Sequence, residues 1–348
     1  MERVVYLLGA GFSAPLGLPV MSNFFTKSKD MYYENPSRYP HFKSVFDTIQ
    51  EMSVIKNYYS TDLFNIEEIL SILEMGEYLQ GSQLKENFLK YIIDVINHST
   101  PSIENFPAGK LPGNWDTFLF GSGQLGNQPL WESYGRFVGN LCNLALTESR
   151  HGFHGSYSDI ICEPISDAKA EYSIVTLNYD VIPESVVQFL KSNYSNANAN
   201  LPVAKLHGSV DTRVIVPPTW SKGVNKQIVP AWEQAFQYLS AANHIRIIGY
   251  SLPTTDAYVK YLLKSAVIKA NHLKRIDVIC LDDNRQAARQ RYDDFIPFAY
   301  YRFANANVTE YLDIIRSNST VSDGSAQARG VRLDKLERGH ESFFTRYR

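Results

Sequence analysis

RVVYLLGAGFSAPLGLP, Arg3–Pro19, decides the reading of the fold. Val4–Leu8 is an unbroken run of apolar, largely β-branched or aromatic residues, the pattern of a buried strand. Gly9-Ala10-Gly11 is a small-residue turn, and polar Ser13 marks where a helix can begin. A buried strand that runs into Gly-x-Gly usually opens a mononucleotide-binding unit. The two glycines let backbone approach a pyrophosphate closely. The N–H groups and dipole of the following helix start favour the anion.

Outward from this stretch, 348 residues suffice for one large domain or two small ones. With 44% hydrophobic and 20% charged residues the chain reads as an ordinary soluble globular protein. Its 22 Tyr and 19 Phe fit a bulky core first, and an aromatic interface or stacked ligand second. A net charge of −2 gives no overall electrostatic case for nucleic-acid binding. Cys142, Cys162 and Cys280 are far apart and form no C-x-x-C, so no zinc site of the usual spacing can be built, and no metal is expected. Such sparse cysteines suit a reducing cytoplasm. No charged leader with an apolar signal region is visible, and no apolar run approaches about 20 residues, so neither export nor a membrane span is expected.

After Pro19 the character changes. Residues 22–100 read as helical: Phe64–Leu79 places Ile66, Ile69, Leu70, Leu73 and Leu79 near one face, and Leu84–His98 repeats the spacing. Asn65 is the expected N-cap, with Glu67 and Glu68 in the first turn. Residues 100–130, rich in Gly, Pro, Asn and Ser, read as long loops. Gly121–Gly126 matches G-x-G-x-x-G, but no strand precedes it, so it is not taken as a nucleotide site. A helix is expected over Leu130–Leu146. His151 and His154 read as surface-loop residues.

Strand signals return at Tyr172–Asn178, Val203–Gly208, His244–Leu252, Arg275–Asn284 and Phe298–Phe303. Helices are expected at Pro183–Lys191, Ala231–Ala242, Thr255–Ala270, Arg285–Tyr292 and Val308–Ser317. This alternation predicts an α/β fold: a Rossmann-like, mostly parallel sheet with helices on both faces and a large, mainly helical insertion after the first strand. The expected organisation is a Rossmann domain of residues 1–21 and 166–317, a helical insertion over 22–165, and a flexible or partner-ordered tail over 318–348.

Ligands of open parallel sheets bind outside the C-terminal strand ends. Those ends carry Gly9, Ala10, Gly11 and Ser13; Thr176, Asn178 and Asp180; His207; Gly249, Tyr250 and Ser251; and Asp282 with Asp283. A lone histidine after an apolar run is more often structural than catalytic. Five strand ends that all deliver small or polar residues to one edge form a far less accidental pattern.

The set GAGFSAPLGLP, TLNYD (Thr176–Asp180), LHG (Leu206–Gly208) and GYSL (Gly249–Leu252) resembles the sirtuin family in order and spacing. The resemblance covers about 1–21 and 170–285, roughly half the chain. Sirtuins bind NAD and break its nicotinamide–ribose bond. The resemblance implies that Gly9 to Ser13, Phe12 included, cradle the pyrophosphate. It implies that Asn178 and Asp180 line the nicotinamide and ribose pocket, and that His207 is the catalytic histidine. Thr176, Tyr179, Gly249, Tyr250 and Ser251 would contact the ligand, and Asp282 would lie near the adenosine ribose. Phe12 and Tyr179 have the alternative of packing in the core.

Three departures separate the chain from protein deacylases. The four zinc cysteines are missing, Val20-Met21-Ser22 replaces the usual Asp-Phe-Arg, and the segment between LHG and GYSL is short. The chain is more similar to the bacterial sirtuin-like NADases of anti-phage defence. That likeness implies NAD+ as substrate, cleaved to nicotinamide and ADP-ribose, in a cytoplasmic protein that forms homo-oligomers and is triggered by a separate sensor such as a HerA-type ATPase. The alternatives are an NAD-dependent protein deacylase and a non-catalytic NAD or ADP-ribose sensor. A dehydrogenase is disfavoured, because the turn lacks the third glycine and no acidic residue ends a strand about 20 residues on.

Overall fold

The computed structural model of the chain describes residues 1–81, 84–101, 129–151, 157–193, 198–216, 226–254, 256–283, 285–319 and 335–347. Ten strands are described: β1 Glu2–Leu8, β2 Leu144–His151, β3 Tyr157–Pro164, β4 Ala170–Thr176, β5 Val203–Lys205, β6 Gly208–Ser209, β7 Val214–Ile215, β8 His244–Ile248, β9 Arg275–Ile279 and β10 Tyr301–Ala304. Six of them form one sheet in the order β10-β9-β8-β1-β4-β5, and all five pairings are parallel. Counted along the chain, that is the order 3-2-1-4-5-6 of a doubly wound, Rossmann-type sheet. The chain runs outward from β1 to β5, then returns to the other side of β1 with β8. The switch point therefore lies between β1 and its two neighbours.

Alternation along β1 explains the two covered faces. Val4, Tyr6 and Leu8 point into one core, shared with Phe24, Phe42 and Tyr91 of the insertion and with Tyr134, Phe137 and Tyr311. Val5 and Leu7 point into the other, packed against Ala235, Leu239, Val259, Leu263 and Tyr292. Aromatic edge-to-face contacts fill the first core, among them Phe42–Tyr91 at 4.8 Å and Tyr6–Phe137 at 5.3 Å. Much of the unusual Tyr and Phe content is therefore core.

The insertion begins as expected. Helices cover Phe24–Glu34, Pro40–Glu51, Ile66–Gln80 and Leu84–Ser99. Asn65 caps the third, its Oδ1 accepting from the N–H groups of Glu67 (3.0 Å) and Glu68 (3.1 Å). The expected helix over Leu130–Leu146 is shorter, Pro129–Leu141. Asn143 sits at φ 55, and left-handed backbone of this kind ends helices. The chain then turns into an antiparallel hairpin, β2–β3, so the insertion is not wholly helical. Most of the 100–130 stretch, Gly121–Gly126 included, and His154 lie outside the described residues. Among the described residues no helix is long and apolar enough to cross a membrane.

The C-terminal segment departs further from expectation. Lys335–Arg346 is a helix ordered by the chain's own core, with Leu336, His340, Phe343 and Phe344 buried. Charge beside that face hides the periodicity: half-buried Glu337 pairs with buried Arg246, and exposed Glu341 with Arg275 and Arg302.

His340 joins this helix to the sheet. Its Nδ1 lies 3.1 Å from the Tyr311 hydroxyl and its Nε2 2.8 Å from Asp277 Oδ2. Against the penalty of burial, hydrogen bonds from His340 and Arg302 hold the Asp277 carboxyl down at about 2. An ionised carboxylate only accepts, so Nε2 carries the proton and Nδ1 accepts from Tyr311. Burial, reinforced by nearby Arg246, lowers the imidazole from 6.5 to about 4. Between those values the unfolded chain binds the proton and the folded chain does not. Stability from this group is therefore complete above pH 6.5 and is lost as pH falls towards 4, on the order of 3 kcal/mol in all. Urea midpoints of the parent are expected to fall more steeply over pH 6.5–4 than those of His340→Gln. Equal slopes would refute the assignment.

Candidate active site

A cleft of about 270 Å³ opens at the C-terminal ends of β1, β4 and β8, on the switch point. The sheet supplies Ala10, Ser13, Asn178, Tyr179, Asp180, His207, Gly249, Tyr250 and Ser251. Met21 and, from the insertion, Phe24, Asn65, Ile66, Glu67 and Ile96 also line the cleft. Nine of the fourteen candidates read from sequence thus meet in one cavity.

Asn178 is the hub. It is buried, and its Nδ2 donates to Gly9 O (3.0 Å) and Ser13 Oγ (3.1 Å). Thr176 does not line the cleft. It anchors Asn178 from below, accepting from the Asn178 N–H at 3.0 Å. Asp180 is 3% exposed, and its Oδ1 accepts from Ile182 N–H at the start of the helix Ile182–Asn193. Lys205 bonds the Asp180 carbonyl and Glu184, which holds this corner between β4 and β5. His207, also 3% exposed, leaves β5 beneath the Tyr179 ring, with centroids 6.0 Å apart.

The glycine turn works differently from the expectation. Gly9 N–H donates to Ile248 O, Gly11 N–H to Gly249 O, and Phe12 N–H to Gly9 O. The first two donors hold the β1 turn against the end of β8 and the third closes the β1 turn on itself, so these three N–H groups do not form an open pyrophosphate cradle. Phe12 faces the core against Tyr134 and Phe137. Gly249 has φ 66, and an added Cβ would lie 2.2 Å from the Phe12 nitrogen. Gly249→Ala is therefore expected to cost at least about 2 kcal/mol and to spread the two turns apart. An unchanged thermal midpoint would contradict this contact.

Asp282 is also elsewhere. It does not line the cleft; its carboxylate accepts from the N–H groups of Asp283, Ala288 and Arg289. Although desolvation opposes ionisation, those backbone bonds hold the carboxyl below its ordinary range. From outside the helix Ala287–Phe295, whose N-cap position is Gln286, Asp282 thus satisfies two N–H groups of its first turn.

Two acidic residues emerge that the sequence reading did not select. Asp256 is 2% exposed, its Oδ2 accepting from the Tyr250 hydroxyl at 2.9 Å and lying 3.9 Å from His207 Nε2. Glu67 reaches the cleft from the insertion. Burial raises the Tyr179 and Tyr250 hydroxyls, and Asp256 and Glu67 add to the effect. Among the described residues no Lys or Arg lines the cleft. Its charge is that of Glu67, Asp180 and Asp256, a setting suited to a cationic or cation-forming ligand. No group of three or more metal-ligating side chains is disposed around an ion among the described residues.

No family model and no curated protein matches the chain. Among solved structures, Sir2 in complex with the inhibitor EX-527, 2'-O-acetyl-ADP-ribose and a deacetylated p53 peptide aligns over 90% of this chain and 93% of that one, at 13% identity and a TM-score of 0.31. A superposition that loose carries no argument. The fold assignment stands on the strand order and the cleft's position on the sheet.

Proposed function

We propose that this protein hydrolyses NAD+ at the nicotinamide–ribose bond, releasing nicotinamide and ADP-ribose. The observation that carries the reading is the character of the cleft: buried Asn178, His207 and Asp180 at a doubly wound switch point, with carboxylates and no Lys or Arg among the described lining. The nicotinamide of NAD+ is a cationic pyridinium. As the bond to C1′ breaks, its electron pair neutralises the ring nitrogen and positive charge passes to the ribose. Fixed carboxylates stabilise that charge where it develops. The leaving group departs neutral and needs no acid. Water adds through its oxygen to C1′, and the proton it sheds is taken by His207. Asn178, whose two amide protons go to Gly9 O and Ser13 Oγ, holds the ribose hydroxyl or the water by accepting at Oδ1.

The resemblance described above supports the same reading and extends it. NAD+ depletion in anti-phage defence, self-association and a separate trigger such as a HerA-type ATPase are parts of the proposal. Tyr58, Tyr59 and Tyr78 of the insertion are exposed, aromatic side chains of the kind that self-association would cover. The deciding experiment follows nicotinamide and ADP-ribose from NAD+ with and without the partner ATPase. Acyl-peptide turnover would move the reading to a deacylase. Tight NAD+ binding with no release in any mixture would move it to a sensor.

A further inference from the structure

Asp256 stands at the N-cap of the helix Ala257–Ala266, where an aspartate ordinarily accepts an N–H of the first turn. It makes no such bond. Its backbone stands at φ −92, ψ 59, and the side chain turns into the cleft, 2% exposed. A capping bond is forgone and a carboxylate is buried, two costs at one residue. Both are consistent with the carboxylate's position: one oxygen takes the Tyr250 hydroxyl at 2.9 Å and faces His207 Nε2 at 3.9 Å.

We infer that Asp256 is a positioning residue for His207: it orients the imidazole, selects which ring nitrogen carries the proton and raises its basicity, while Tyr250 sets how strongly it does so. This deepens the proposed hydrolysis and rests on it for its catalytic meaning. The acting geometry is a histidine that lines the cleft and has a buried carboxylate beside its Nε2. The apo separation of 3.9 Å is longer than a hydrogen bond, and such contacts often close only when substrate binds. Among the described residues that line the cleft with His207, the other titratable groups are Asp180 from the end of β4, Tyr179 beside the ring, Tyr250 after β8 and Glu67 from the insertion. Each carboxylate among them pushes the imidazole in the same direction. The wanted signal is therefore the part that disappears with Asp256 alone.

Two substitutions act with opposite sign. Asp256→Asn keeps the shape and the acceptor for Tyr250 but removes the charge. Tyr250→Phe removes the donor that competes for Oδ2 and leaves the carboxylate more basic. The His207 resonance, assigned by its loss in His207→Gln, is titrated by NMR in the full chain. Its midpoint is expected to fall by about one unit in Asp256→Asn and to rise in Tyr250→Phe. On NAD+, Asp256→Asn is expected to lower kcat roughly 10- to 100-fold, to change KM by less than about threefold, and to move the acidic limb of kcat/KM down with the NMR midpoint. A merely structural aspartate would not give shifts of opposite sign. Unmoved His207 midpoints overturn the inference, and Tyr250→Phe alone decides it if Asp256→Asn does not fold. A parent protein that releases no nicotinamide either alone or with the partner ATPase overturns the proposed hydrolysis instead, and the titration still tests the coupling.

Discussion

His207→Ala is expected to slow nicotinamide release by about 10²- to 10⁴-fold, the usual range for losing a positioned general base. The side chain is buried beside Tyr179, in a cleft that Ser13, Asn178 and Asp180 share. In the proposed hydrolysis, removing the imidazole takes away the acceptor for the proton that water sheds, while the carboxylates of the cleft stay. The loss should therefore fall on kcat, with KM little changed. Asn178→Ala should be as inactive for a different reason. Its Nδ2 ties Ser13 to the Gly9 carbonyl, so the variant loses a ligand contact and loosens the β1 turn. A stability loss of about 1 kcal/mol per lost bond should accompany it. Circular dichroism must show both variants folded. Full release rates in both would refute the assignment.

Glu337→Ala is expected to be the most damaging substitution outside the site. Arg246 lies in the middle of the sheet at 2% exposure. Its Nη1 donates to Tyr6 Oη (2.6 Å) and Glu337 Oε1 (3.0 Å), and its Nη2 to Glu337 Oε2 (2.5 Å). Tyr172 donates to the same carboxylate at 2.9 Å. Although burial opposes it, Arg246 keeps Glu337 ionised below its ordinary range. Removing the carboxylate strands a guanidinium in a core that water does not reach. Breaking a buried pair from one side typically costs about 3–5 kcal/mol, a third or more of the stability of many domains. Replacing both partners with apolar residues, as in Arg246→Met with Glu337→Leu, should recover most of the loss. Urea midpoints of the single and double variants measure both effects. A single-variant loss under about 1 kcal/mol would mean that Arg246 finds another partner.

The sheet was legible because its strands are apolar runs closed by small or polar residues, and the switch point follows from their order. Asn178, Asp180, His207 and Tyr250 were legible for the same reason, as residues at strand ends. The rest depended on which group a backbone atom uses. Gly9 and Gly11 looked like an anion cradle, but glycine is equally needed where two turns abut, and only the acceptor of each N–H distinguishes the cases. Asp282 and Asp256 both stand before a helix and read alike in sequence. The first accepts N–H groups of its helix's first turn and the second does not. The C-terminal helix is hidden in the sequence because a polar residue, His340, takes one position of its buried face and Glu337 stands at its edge. The β2–β3 hairpin was missed because Leu144 and Leu146 continue the apolar spacing of the preceding helix past its end at Leu141.

The central place of β1 also has a consequence for synthesis. The strand is synthesised before both of its neighbours: Val4 pairs with Tyr172 on one side and with His244 on the other. At about 5–20 residues per second, Val4–Leu8 waits on the order of 10 to 30 s for its first neighbour. During that time an apolar strand with two open edges is held off aggregation only by the ribosome surface or a chaperone. Yield of soluble protein should therefore respond more to translation speed and chaperone supply than the final stability would suggest.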